Sequence, residues 1–484
     1  MVEHNTEIRG LWSHARIYAL GSLINRAAGI VLIPVYTHLL PAAEYGLYTI
    51  VVITADMAAV LISGVVGTAM VRVYLESDDP NHRAVVASTA FVSFVLLGLT
   101  AALLAHPCST LVSTLVLHSS HHSRLFELAI YSSLLSLLFN LELDYFRAEK
   151  RPWIYLILSS AKSVTLFLLS IVLVVHFQLG VMGIVLATVA TFLVIGLGTL
   201  YRVLRHTGIH LDRRHVRAML VIGLPMLPSR LADLSTEFTD KYFINRFVGA
   251  GAVGNYSLAQ RLGSLLQNFV AGPFAQIWIV RRLETLGAAT GQELFARIFT
   301  LFLAAMLGAG LLLATYAPEL VAVISSVQYQ GATELVPLIA LSMAIMPIDM
   351  NFQLSIIHAK KTIFLMYASF AAAAANIVLM YVLVRDHAAL GAAAALLLTN
   401  LTRVALVAWF SVRYCDTTLR FEWGRTVALL GLAIICFVAE RKTFGVTVDI
   451  AQSFKKLSLL LLYAAPAWYL LRTPIHEPLR NGQH

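Results

Sequence analysis

The side chains best suited to chemistry in this chain are ionisable groups set deep within apolar stretches. Arg26, Asp56 and Lys162 lie in the first half, and Arg230, Asp233, Glu237, Asp240, Lys241, Arg261, Asp349 and Arg403 in the second. If those stretches cross a bilayer, each charge costs about 2.5–3.5 kcal/mol at the membrane centre. Such groups then face a bundle interior or a wet cavity, and they mark the path of a substrate or ion. The densest segment is LPSRLADLSTEFTDKYF, residues 227–243. There Arg230, Asp233, Glu237 and Lys241 recur at i, i+3, i+7 and i+11, which is one face of a helix. Pro225 and Pro228 precede them and can bend that helix by removing backbone hydrogen bonds. Two readings follow: Arg230 with Asp233 and Glu237 with Lys241 neutralise each other as ion pairs, or the face serves a substrate.

Arg26 and Lys162 have no acidic neighbour at helical spacing on their own segments. A cation of this kind suits a phosphate-bearing ligand, and the planar fork of a guanidinium binds phosphate oxygens in pairs. The six cations Arg26, Lys162, Arg230, Lys241, Arg261 and Arg403 are therefore the candidate substrate-binding set. The five acids Asp56, Asp233, Glu237, Asp240 and Asp349 are candidates for ion pairing or for carrying a coupling proton or sodium ion. An exporter of small cations would favour an acidic lining, whereas this set has a slight cationic excess. No nucleophile motif or metal-ligand spacing is present, and Cys108, Cys415 and Cys436 form no spaced cluster. The expectation is a chain with no catalytic residues, metal or cofactor. His106, His118, His121 and His122 crowd a predicted outer loop and read as solvated.

The elements that must hold these residues are membrane helices. Of 484 residues, 59% are hydrophobic and 13% charged, and the mean hydropathy is +0.78. A soluble protein keeps about a quarter of its residues charged. Apolar spans long enough to cross a bilayer recur along the whole chain. They predict an all-α polytopic membrane protein with fourteen transmembrane helices near 13–38, 45–74, 82–105, 125–148, 152–176, 181–204, 216–246, 252–281, 294–316, 333–357, 362–385, 388–412, 426–440 and 457–472. The thirteenth is short. Residues 108–117 are apolar but too few to span. The first apolar run contains Asn25 and Arg26 and does not read as a cleavable signal.

The net charge of +9 is scattered over short breaks between apolar runs, so it does not form a nucleic-acid surface. With the N-terminus inside, the inside breaks carry Arg147, Lys150, Arg151, Arg202, Arg205, Arg213, Arg214, Arg217, Lys360 and Lys361, among others. The outside breaks carry only Arg124, Arg246, Arg385, Arg441, Lys442, Lys455 and Lys456. The bias predicts a bacterial inner-membrane protein with both termini cytoplasmic.

An internal repeat organises the helices. LLPAAEYGLYTI (39–50) aligns with FVGAGAVGNYSL (247–258) at an offset of 208, bringing Gly46 over Gly254 and Tyr48 over Tyr256. The same offset places Gly183 over Gly391, and a similar one places Lys150 and Arg151 over Lys360 and Lys361. Six helices on each side of the basic break make parallel repeats, which in transporters enclose a central cavity. The expected division is a six-helix lobe over 1–210, a second over 211–413, and two further helices with the tail over 414–484.

The stretch GSLINRAAGIVLIPVYTHLLPAAEYGLYTIVVI, with its Tyr45-Gly46-x-Tyr48, resembles the opening of the polysaccharide-biosynthesis flippases. These form the Wzx-type branch of the multidrug/oligosaccharidyl-lipid/polysaccharide exporter superfamily. GLPMLPSRLADLSTEFTDKYFINRFVGAGAVGNYSLAQRL, with Asp240-Lys241 and Gly254-x-Tyr256-Ser257, is similar to that family's seventh and eighth helices. The resemblance implies a MATE-like fold with a cationic lumen. It also implies a polyprenyl-diphosphate-linked glycan moved from the cytoplasmic to the outer leaflet by alternating access. A polysaccharide polymerase and glycosyltransferases are the implied partners, beside the lipid bilayer. Other functions on the same architecture are a multidrug or cation antiporter and a lipid II flippase. A membrane polymerase or ligase would need an acid, base or metal constellation. The largest predicted outer loop, about twenty residues with Glu127 at its edge, offers none.

The charge bias makes a topological prediction. A fluorescent protein that matures only in the cytoplasm, fused after His484, should glow, and a periplasmic phosphatase inserted near Ser120 should be active. The opposite pattern would reverse the orientation.

Overall fold

The structure is a computed structural model that describes residues 21, 24, 27–63, 66–275, 289–359, 361–414, 422–443 and 453–472. Its elements in chain order are α1 (Ala27–Leu39), α2 (Ala42–Ser63), α3 (Val66–Tyr74), α4 (Pro80–Leu117), α5 (Ser123–Ala148), α6 (Pro152–Ile171) and α7 (Gly180–Thr207). Then come α8 (Arg213–Gly223), α9 (Leu227–Phe247), α10 (Ala250–Leu265), α11 (Ala289–Thr315), α12 (Ala317–Ile324), α13 (Ala332–Ala344), α14 (Met346–His358), α15 (Ile363–Tyr414), α16 (Trp423–Thr443) and α17 (Ser453–Arg472). The fold is all-α. Among the described residues, eight helices are long and apolar enough to cross a membrane, or nine if the bent α8–α9 pair counts as one span.

Local chemistry explains several boundaries. The Asp79 carboxylate caps α4 by accepting from the Asn81 and His82 amides, with Pro80 in the first turn, where no donor is lost. Asp212 caps α8 in the same way through the Arg214 amide, 2.8 Å away. The predicted seventh helix is broken: α8 and α9 meet at a 47° bend where Pro225 and Pro228 sit. The predicted tenth helix is divided at Ile345, just before Pro347.

Two expectations need correction. The predicted outer loop at 106–124 is mostly helix, because α4 continues through Pro107 to Leu117. At 38 residues α4 is about 57 Å long, well beyond the roughly 30 Å hydrocarbon core. His106 therefore stands on a helix, 3.2 Å from Glu127, and only His118, His121 and His122 lie in the turn. Lys456, expected in an outer loop, is in the first turn of α17, 1% exposed and ion-paired with Glu319. It also lies 5.6 Å from the centre of the Tyr316 ring.

The chain forms two compact units. The first comprises Met1–Asn255 with Ile324–Gln328, and the second Tyr256–Val323 with Tyr329–His484. In the first unit Val73, Phe91, Leu141, Tyr145, Val203 and Met219 form a core drawn from α3, α4, α5, α7 and α8. The Ile324–Gln328 strap joins it through Thr37, whose hydroxyl donates to the Ile324 carbonyl at 2.7 Å. In the second unit α13 packs on α11 and α15, and α16 and α17 also pack on α11. The Tyr463 hydroxyl of α17 donates to the Ala304 carbonyl at 2.9 Å.

The sequence repeat has structural counterparts. A Cβ on Gly46 would lie 1.9 Å from the Ala250 carbonyl oxygen, and a Cβ on Gly254 would lie 2.0 Å from that of Ala42. Ala42 and Gly46 map onto Ala250 and Gly254 at the offset of 208, so each copy offers its glycine to the other's alanine carbonyl. Reciprocity of this kind belongs to a two-fold-related contact. Small residues four apart on both helices allow the close backbone approach. The second glycine pair repeats a different role. Gly183 abuts the Leu173 carbonyl, and Gly391 abuts that of Leu383, each on the helix that precedes it. Just ahead of these glycines, Gln178 (φ 52°) and Ala388 (φ 50°) both turn the chain left-handed. The turn at Ala388 divides the 52 residues of α15 into two arms.

Gly46→Ala or Gly254→Ala must force backbone apart and should cost about 1–3 kcal/mol. A Cβ at Gly98 would meet nothing within 4 Å, so Gly98→Ala should be neutral or gain up to about 1 kcal/mol. Thermal unfolding in detergent reads both, and an unchanged midpoint for Gly46→Ala would deny the contact its structural role.

Candidate functional site

In the first unit, α2, α5 and α9 carry polar groups at two levels. At one level the half-buried Asp56 of α2 accepts a 2.6 Å hydrogen bond from the Ser133 hydroxyl of α5. Glu237 of α9 acts on Asp56 as a like charge. At the other, Asp144 of α5 pairs with Arg147 at 2.9 Å, and Arg230 of α9 attracts it as well. From Ser133 to Asp144 is eleven residues along α5, or about 16 Å. The α9 sequence meets these levels in reverse order, as an antiparallel neighbour must. The packing of α9 on α2 thus turns a run of charges into two separate electrostatic environments, one acidic and one mixed.

The predicted face of α9 is not uniform. Arg230, Asp233 and Glu237 are exposed, whereas Asp240 is fully buried and Lys241 is 7% exposed. The Lys241 ammonium donates to the Glu237 backbone carbonyl at 3.3 Å. On α6, Lys162 is half-buried, and no acidic side chain among the described residues acts on it. Arg26 lies outside the described residues.

The second unit holds the other three candidates. Arg403 on the second arm of α15 pairs with Asp349 of α14 at 3.5 Å, and the Gln353 amide donates to the same carboxylate. One turn earlier the Asn400 amide donates to the Ser342 hydroxyl at 2.8 Å, so a polar seam runs between α13, α14 and α15. Arg261 on α10 is exposed.

Sequence reasoning missed Glu142. It is 0% exposed on α5, and neither carboxyl oxygen has a hydrogen-bond partner among the described residues. A Cβ added to Gly196 of α7 would lie 4.0 Å from one of them. The signal was available, because FNLELDYF places an acid inside a predicted span. Such a group is costly to bury without a partner, and α5 tolerates it beside the polar Ser133 and Asp144 levels.

A family model described as polysaccharide biosynthesis protein matches residues 11–279. No curated protein matches the chain in sequence. Among solved structures, that of lipid II flippase MurJ in an inward closed conformation is similar with a TM-score of 0.74 at 14% identity, covering 94% of this chain and 99% of that one. An inward-facing multidrug resistance MATE family transporter of the MOP superfamily gives 0.63 at 15% identity, covering 89% and 96%. An outward-facing one gives 0.58 at 14%, covering 82% and 95%. At these identities the likeness establishes the fold alone, an all-α one shared with these structures.

Glu142 yields a stability prediction. Glu142→Met removes an unpartnered buried carboxyl while keeping its volume and should stabilise the protein by about 1–3 kcal/mol. Glu142→Gln keeps a polar group there and should change little. A lower unfolding midpoint for Glu142→Met would mean that the carboxyl has a partner, such as a bound water or ion.

Proposed function

Since the chain belongs to the polysaccharide biosynthesis protein family, we propose that it flips a polyprenyl-diphosphate-linked oligosaccharide from the cytoplasmic to the outer leaflet of a bacterial inner membrane. The product would feed a cell-surface polysaccharide such as lipopolysaccharide or exopolysaccharide. The observation that carries this reading is the family match over 11–279, which takes in α2, α5, α6 and α9 with their buried and half-buried charges. The likeness in fold to a lipid II flippase agrees with it.

In this reading Arg26, Lys162, Arg230, Lys241, Arg261 and Arg403 draw in the diphosphate or acidic sugars. The acids Asp56, Asp233, Glu237, Asp240 and Asp349 pair with them or carry a coupling proton or sodium ion. The half-buried Asp56, on which Glu237 acts as a like charge, suits that second task, because a like charge nearby favours taking up a cation. The lobes that alternate follow the repeat, over 1–210 and 211–413, with 414–484 added. A polysaccharide polymerase and glycosyltransferases would act after and before the flip, so the flip itself makes and breaks no covalent bond. Both termini lie in the cytoplasm. The same acid pair favours one other reading, a multidrug or cation antiporter.

Deleting the protein should make the lipid-linked precursor accumulate in the inner leaflet. The intact chain should relieve this, while Arg26→Ala or Lys162→Ala should lower flux about tenfold or more, the loss expected for one charge-assisted phosphate contact. Normal glycan export with altered dye resistance would replace the flippase reading by the exporter reading.

A further inference from the structure

The ends of α5, α6 and α7 that carry Arg147, Arg151 and Arg202 hold a groove that the proposed transport path does not use. One cavity of about 300 Å³ is walled by Tyr145, Glu149, Arg151, Ile157, Arg202 and His206. It adjoins a wider, shallower one of about 640 Å³ along Gly198, Tyr201, Arg205 and the shared Arg202 and His206. We infer that this groove binds an anionic phospholipid of the cytoplasmic leaflet, with its phosphate between Arg202 and Arg205 and an acyl chain along the outer face of α7.

The α7 sequence has the polarity of such a ligand. Val194, Leu197, Gly198, Tyr201, Arg202 and Arg205 recur at i, i+3, i+4, i+7, i+8 and i+11, a single helical face that starts apolar and ends cationic. Val194 is 72% and Tyr201 65% exposed, so the apolar part looks outward. A Cβ at Gly198 would meet nothing within 4 Å, which leaves an open notch beside the Tyr201 ring. From Val194 to Arg202 the rise is about 12 Å, enough for the upper part of an acyl chain below its headgroup.

Charge completes the match. Glu149 is already engaged by Arg151 at 3.0 Å and by the Tyr145 hydroxyl at 2.7 Å. Arg202 and Arg205 meet no acidic side chain among the described residues. Two exposed guanidiniums at the end of an apolar track offer paired donors to a phosphodiester, and basic pockets between helices on the cytoplasmic side bind such headgroups. A groove this open suits an abundant lipid more than a scarce precursor. The site therefore stands independently of the flippase reading.

The test uses the full chain purified in neutral detergent. Adding phosphatidylglycerol should raise the unfolding midpoint by a few degrees over the same amount of phosphatidylcholine, and native mass spectrometry should retain the bound lipid. Arg202→Gln with Arg205→Gln should abolish that difference while leaving the midpoint in detergent alone nearly unchanged. Gly198→Leu, which fills the notch, should weaken it. Arg213→Gln with Arg214→Gln, on α8 and away from the apolar track, should not. Equal shifts with both lipids, or a phosphatidylglycerol effect that survives the Arg202/Arg205 double variant, would overturn the proposal. Displacement of phosphatidylglycerol by an equimolar polyprenyl diphosphate would overturn it too, by making the groove a substrate entrance.

Discussion

A polar group inside hydrocarbon has no water to turn to, so it must find its partner within the protein. That constraint makes every described spanning element a helix and decides how close two helices come. The crossing of α2 and α10 shows its reach. With their backbone bonds satisfied internally, the gain on association comes largely from packing contact, and two backbones approach more closely where side chains are small. Gly46 and Gly254 let the two backbones meet at a distance that no Cβ would allow. The duplicated Ala-x-x-x-Gly makes the contact self-reciprocal, so a single sequence feature was enough to build both sides of it.

The same constraint sorts the charges. In the second unit Asp349 and Arg403 meet at 3.5 Å and largely cancel. In the first, Asp56 is held by a neutral hydroxyl from Ser133 and faces a second acid, Glu237. The contrast is between an acid paired with a cation and an acid held by a hydroxyl, with Glu237, exposed on α9, only adding to its charge environment.

Much of this was legible in the residues. Helix positions followed from apolar run length and the bend between α8 and α9 from Pro225 and Pro228; the 208-residue repeat paired Gly46 with Gly254 but did not tell that the two meet. The failures have physical causes. Pro107 reads as a helix stop, yet α4 passes through it. Lys456 looks like a loop charge because sequence does not reveal Glu319, 137 positions away. Glu142 stands inside a predicted span, but its complete burial is decided by tertiary packing. Spacing along one helix predicted the α9 face, but it could not predict that the face passes from exposed at Arg230 to buried at Lys241.

The two glycine pairs show two uses of a missing side chain. Gly183 and Gly391 each support a turn inside their own copy of the repeat, packing on the helical turn just before them. Gly46 and Gly254 come from different copies of the repeat, yet both belong to the first compact unit and meet there backbone to backbone. Backbone packed on backbone, with no long side chain to stretch, tolerates little separation before the contact is lost. The crossing therefore fixes α2 against the start of α10, whereas the long charged side chains of α9, which also packs on α2, have room to change partners over several ångströms.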